Sequence, residues 1–180
     1  ASVKYTLKFQ FRGEYLALVL ISTLGMMLMA SATELLSLFV SLELTSLSLY
    51  TLVCFLKNQK STESALKYFL LGAISSAIFL YGIIFVYGFT GTTQMGEIAV
   101  AIQNNVSINS TGSIGLLLGI VLIITGLGFK VTAFPFQMWA PDMYEGAPTP
   151  VTAYLSVASK SAGFAVVLRI FYSAFSLPVW

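Results

Sequence analysis

The 180-residue chain has no histidine, one cysteine, five prolines and only 9% charged residues. A soluble domain carries about 25%. Nine Lys/Arg and seven Asp/Glu cannot cover a water-facing surface of this size, so a soluble enzyme is excluded. The lone Cys54 excludes an internal disulfide and any cysteine-based metal cluster. The absence of histidine removes the commonest metal ligand and the commonest neutral-pH proton carrier. A net charge of +2, scattered along the chain, is too weak for a nucleic-acid binder. Disordered and collagen-like chains are excluded by composition.

What remains is apolar: 57% hydrophobic residues and a mean hydropathy of +0.88. A spanning helix needs about 20 apolar residues. Residues 15–32, 35–56, 65–87, 114–136 and 151–175 qualify, and none alternates like a barrel strand. In lipid every backbone polar group must be satisfied within the segment, so the expectation is an all-α membrane protein of five transmembrane helices in a single domain. Thr33 and Glu34 leave room only for a tight hairpin between the first two. Lys4, Lys8 and Arg12 before an apolar run ending Ala30-Ser31-Ala32 also mimic a signal peptide, although the run is long for one and membrane segments follow it.

Basic residues set the orientation. Lys4, Lys8 and Arg12 precede the first span, and Lys57 and Lys60 follow the second. Thr33-Glu34 and residues 88–113 hold no Lys or Arg. The N-terminus and the Lys57 loop are therefore expected on the cytoplasmic (or equivalent) side, and the C-terminal end of the fifth span opposite. Within 88–113, residues 95–102 read as a short surface helix and 104–112 as a polar turn. Residues 135–150 hold four of the five prolines and read as a stiff, non-helical loop. Its Trp139 and Tyr144 suit an interfacial aromatic belt, but so dense a loop equally suits a functional element.

Charges at membrane depth cost about 2.5–3.5 kcal/mol each at the centre on insertion scales. Glu43 lies inside the second span and shares a stripe with Ser46 and Tyr50. Lys130 lies in the fourth, behind Gly126 and Gly128, which weaken the helix and suggest a break there. Lys160 lies in the fifth, on an i+4 row with Thr152 and Ser156. Lys67, four residues after Glu63 near the start of the third span, is also explained by an interfacial ion pair, and Arg169 by a structural role. One acid and two or three lysines on separate helices are what a proton relay needs: a desolvated lysine holds or releases its proton as an acid approaches or withdraws.

Two stretches carry a resemblance. Phe129-Lys130-Val131-Thr132-Ala133-Phe134-Pro135-Phe136 is followed by Trp139-Ala140-Pro141-Asp142-Met143-Tyr144-Glu145-Gly146-Ala147-Pro148-Thr149-Pro150. Together they resemble the antiporter-like membrane subunits of respiratory complex I, and the Tyr-Glu-Gly wording is similar to the subunit N branch. Leu42-Glu43-Leu44-Thr45-Ser46-Leu47 and Ala65-Leu66-Lys67-Tyr68-Phe69-Leu70-Leu71-Gly72-Ala73 resemble it too. The resemblance implies that Glu43, Lys130, Lys160 and, less directly, Lys67 are proton-relay residues. It further implies that the five spans are the first of two inverted repeats.

On that reading the chain works within a proton-pumping NADH:quinone oxidoreductase, beside other membrane subunits. The expected setting is a bacterial plasma, mitochondrial inner or thylakoid membrane. The chain itself is expected to hold no redox centre, cofactor or metal; NADH, FMN, iron–sulfur clusters and quinone are expected in partner subunits. Two departures stand out. Gln137 replaces the family's usual histidine, and the chain is less than half the family's length, so it reads as a fragment or one piece of a split subunit. The alternatives are a subunit of a multisubunit cation/proton antiporter or membrane-bound hydrogenase, or a structural membrane scaffold.

Overall fold

The computed structural model describes residues 11–105 and 110–175; Lys4, Lys8 and part of the 104–112 turn lie outside them. The described residues form α1 (Arg12–Ser31), α2 (Leu35–Val53) running into a 3-10 turn (Cys54–Leu56), α3 (Gln59–Thr90), α4 (Met95–Asn105), α5 (Ser110–Val131) and α6 (Ala140–Gly146). The last span is composite: α7 (Thr149–Tyr154), a π-helical segment (Leu155–Ser159) and α8 (Lys160–Ser173). Five helical stretches are long and apolar enough to cross a membrane: Arg12–Ser31, Leu35–Leu56, Gln59–Thr90, Ile114–Val131 and Thr149–Ser173. The chain is thus an all-helical, multi-pass membrane protein. Among the described residues the only β pairing is an isolated bridge, Glu34 with Gln94.

Helices in lipid gain nothing by hiding leucine from leucine; they associate by close approach and interhelical hydrogen bonds. Glycines permit that approach between α3 and α5. A Cβ on Gly82 would lie 2.8 Å from the Ile123 amide nitrogen and 2.9 Å from the Gly119 carbonyl, and one on Gly126 would lie 2.5 Å from the Phe79 Cβ. Ser75 Oγ donates to the Gly126 carbonyl at 3.1 Å across the same interface. Gly25 of α1 does the same against Thr45 of α2, and Ser22 and Thr23 bond the Tyr154 hydroxyl at 3.0 and 2.8 Å. The first span is therefore an integral member of the bundle.

Two ends are tied separately. At one, the α1–α2 turn is stitched to the segment before α4: Leu35 N–H donates to Thr93 O and Met95 N–H to Thr33 O, both at 3.0 Å, and Thr93 Oγ1 donates to Glu34 at 2.6 Å. Arg169 donates to the Ala32 carbonyl there at 2.8 Å, a structural role. At the other end, Lys60 pairs with Glu145 at 2.6 Å, Lys67 with Asp142 at 2.9 Å, and Ser64 Oγ donates to the Asp142 carbonyl at 2.9 Å. The Lys57 loop and the 132–148 connection share one end, as two crossings between them require.

Several local expectations are corrected. The third span begins six residues earlier than hydropathy suggests because Asn58 caps it, accepting from the Ser61 N–H at 2.8 Å. The 95–102 helix extends to Asn105; it buries one face, Met95, Ile98 and Ile102 at i, i+3 and i+7, and leaves Glu97, Val100 and Gln103 exposed. The proline-rich stretch is not wholly non-helical. Pro141 and Pro150 sit in the first turns of α6 and α7, where the missing N–H is no loss.

Candidate functional site

Gly126 and Gly128 do not break α5. The helix runs on through Lys130 to Val131, and both glycines face neighbours, Phe79 and Phe136. The interruption comes immediately afterwards. Thr132 adopts a left-handed φ of 58°, and residues 132–139 form turns before α6. Stopping there strands the last carbonyls of α5 inside the protein. Each finds a donor: Gly128 O accepts from Ala133 N–H at 2.8 Å, and Phe129 O from Thr132 N–H at 3.1 Å and Trp139 Nε1 at 3.2 Å. Lys130 O accepts from the Lys160 ammonium at 3.4 Å. A cation at a helix C-terminus is also where the helix dipole favours it.

Lys130 itself is only 4% exposed. Its Nζ donates to Ser46 Oγ at 2.9 Å, and Ser46 spends its own proton on the Leu42 carbonyl at 2.7 Å. The hydroxyl therefore presents a lone pair to the lysine. Ser46 lies one turn beyond Glu43 on α2. Among the described residues Glu43 and Lys130 form no direct ion pair. Half-buried Glu43 accepts a hydrogen bond from Ser76 Oγ of α3. Ser46, Ser75, Ser76, Tyr50 and Lys130 line one small cleft between α2, α3 and α5.

Lys160 is half-buried and stands over the Trp139 ring, 4.8 Å from its centroid. The expected Thr152–Ser156–Lys160 stripe does not form. The wide π turn at 155–159 shifts the register, so Ser156 is exposed and bonds the Ala153 carbonyl while Lys160 turns inward. π segments of this kind recur at functional sites. Trp139 is not a belt residue, being 3% exposed and stacked on Tyr68 at 4.4 Å. Half-buried Tyr144 has its phenol pushed up from the ordinary tyrosine value by desolvation.

Lys130 is thus joined to Ser46 through its ammonium and to Lys160 through its carbonyl, while half-buried Glu43, one turn before Ser46, is held by Ser76. Lys67 stands apart: it is exposed, between Glu63 and Asp142, both at 2.9 Å. Gln137 is exposed, and its carbonyl caps Ala140. Ser76 escaped notice in the sequence because a serine in an apolar span is unremarkable until its partner is known.

Five spans, a helix interrupted just after a buried lysine, and an acid and a second lysine on neighbouring helices define a multi-pass membrane protein with ionisable groups at membrane depth. Residues 32–180 match the family described as "NADH:quinone oxidoreductase/Mrp antiporter, TM", and the chain belongs to it. It is 56% identical over 181 aligned residues to the NADH-quinone oxidoreductase subunit N of Dehalococcoides mccartyi, covering 99% of this chain and 37% of that protein. It is 53% identical to subunit N of Moorella thermoacetica over 91% of this chain and 33% of that one. The chain spans about a third of the length of the curated relatives it matches. Among solved structures, respiratory complex I from Thermus thermophilus with bound aureothin superposes with a TM-score of 0.78, at 40% identity over 91% of this chain and 35% of that chain. The archaeal membrane-bound sulfane sulfur reductase superposes with a TM-score of 0.81, at 33% identity over 97% of this chain and 36% of that chain.

Proposed function

We propose that this chain is a proton-translocating part of the membrane arm of an NADH:quinone oxidoreductase. Protons pass along Glu43, Lys130 and Lys160. NADH, FMN, iron–sulfur and quinone chemistry belongs to partner subunits, and this chain contributes no redox centre. Its neighbours are other membrane subunits of the same complex.

The observation that carries this reading is Lys130, buried at membrane depth between a hydroxyl one turn from an acid and a carbonyl that receives a second lysine. A charge in that position is costly unless its neighbours respond to it. Movement of the Glu43 carboxylate towards Lys130 favours the ammonium there; withdrawal releases its proton, which Lys160 takes up once its own amine has given up a proton and is neutral. Lys67 contributes from the surface, holding Asp142 and with it the start of α6.

The test uses the assembled complex in inverted membrane vesicles. Lys130→Ala should abolish or strongly reduce NADH-driven acidification while NADH oxidation by an artificial acceptor persists. Loss of the assembled complex for every substitution at Glu43, Lys130 and Lys160 would instead mark a scaffold. Undiminished pumping by Lys130→Ala would contradict the relay.

A further inference from the structure

The proposed relay leaves one neighbour of Lys130 and Lys160 without a task. Trp139 is almost wholly buried, so it anchors nothing at a headgroup surface. Its position is fixed from several directions. Nε1 donates to the Phe129 carbonyl at 3.2 Å; the ring stacks on Tyr68 at 4.4 Å with planes 11° apart, and on Phe129 at 5.1 Å with planes 28° apart. Tyr68 is itself wedged edge-on against Tyr50 at 4.6 Å. The indole is thereby tied to the end of α5, one residue before Lys130, and to α3. The remaining contact is with charge: Lys160 Nζ stands 4.8 Å from the ring centroid.

An indole face attracts a cation through its quadrupole, more strongly where water is excluded, and tryptophan does so better than any other side chain. Among the described residues no carboxylate pairs with Lys160; its ammonium is held by the Lys130 carbonyl and this ring. The carbonyl fixes one direction of approach and the ring another. Without the ring, a side chain with four rotatable bonds would be free to swing away from Lys130.

We propose that Trp139 is a positioning residue for Lys160, its π face holding the ammonium against the Lys130 carbonyl at the end of α5. This rests on the relay reading above. An apolar side chain of similar bulk would fill the space and leave the lysine held by the carbonyl alone.

The test replaces Trp139 site-specifically with mono-, di-, tri- and tetrafluorotryptophan in the assembled complex. Fluorination drains the ring's negative face at nearly constant shape. Initial rates of NADH-driven acidification should fall stepwise with fluorine number, by roughly three- to thirtyfold over the series. Complex content and artificial-acceptor activity should stay level. Trp139→Phe should retain more pumping than Trp139→Leu. Lys160→Ala separates the possible failures. A flat fluorine series with Lys160→Ala inactive overturns the role of Trp139 and leaves the relay standing. Full pumping by Lys160→Ala overturns both.

Discussion

Lys130 Nζ donates to Ser46 Oγ at 2.9 Å, and Ser46 is the side chain through which the buried lysine meets the helix of Glu43. The serine hydroxyl cannot donate to the lysine because its proton is committed to Leu42 O. It therefore stabilises the charged amine. Ser46→Ala removes that acceptor, and hydrogen bonds to charged groups contribute about 1.5–3 kcal/mol. The expected result is assembled complex with pumping reduced roughly tenfold or more, measured in vesicles, and recovery with Ser46→Thr. Unchanged pumping by Ser46→Ala would remove the serine from the path.

Close packing of α3 on α5 is the second expectation. A Cβ at Gly82 meets backbone atoms on α5, which cannot rotate aside. Gly82→Ala should separate the helices and cost about 1–3 kcal/mol, the usual penalty of overpacking. Thermal melting of the purified complex followed by subunit dissociation should show the loss. Gly88→Ala, in open space on the same helix, should show none.

The connection between the fourth and fifth spans should share a side with the loop after the second. With Cys54 replaced by Ser, Gln59→Cys and Gln137→Cys should react with an impermeant maleimide from one face, and Asn104→Cys from the other. All three are exposed in the structure. Labelling of Gln59→Cys and Gln137→Cys from opposite faces would contradict the topology.

The five spans were legible because hydrocarbon demands length and apolarity, which hydropathy reads directly. The charged residues were legible for the complementary reason: Glu43, Lys130 and Lys160 violate that demand. Where the helices bend or stop was less so. Gly126 and Gly128 signal weak helix, yet the same lack of a side chain serves helix contact, and only the partners Phe79 and Phe136 decide between the two. Nothing in Leu155–Ser159 announces a π turn, because the extra residue is accommodated by packing rather than by composition. For Trp139 the sequence left an interfacial belt and a functional loop equally open, and only Tyr68 and Lys160 around it place it in the interior.

Lys67 separates surface from relay. Its pairs with Glu63 and Asp142 are exposed and should be weak and salt-sensitive. Lys67→Ala should lower pumping less than Lys130→Ala, and its effect should be matched by Asp142→Asn, since both release the same clip. A loss with Lys67→Ala equal to that of Lys130→Ala, and unmatched by Asp142→Asn, would put Lys67 in the relay itself.

In the proposed relay Glu43 drives Lys130 by its charge. Glu43→Gln keeps the shape and can still accept from Ser76, but removes the charge. The direct measurement is the number of protons translocated per NADH oxidised in fully assembled complex carrying Glu43→Gln. The relay predicts a lowered proton-to-electron ratio with NADH oxidation by an artificial acceptor intact. An unchanged ratio would show that Glu43 is a structural core residue.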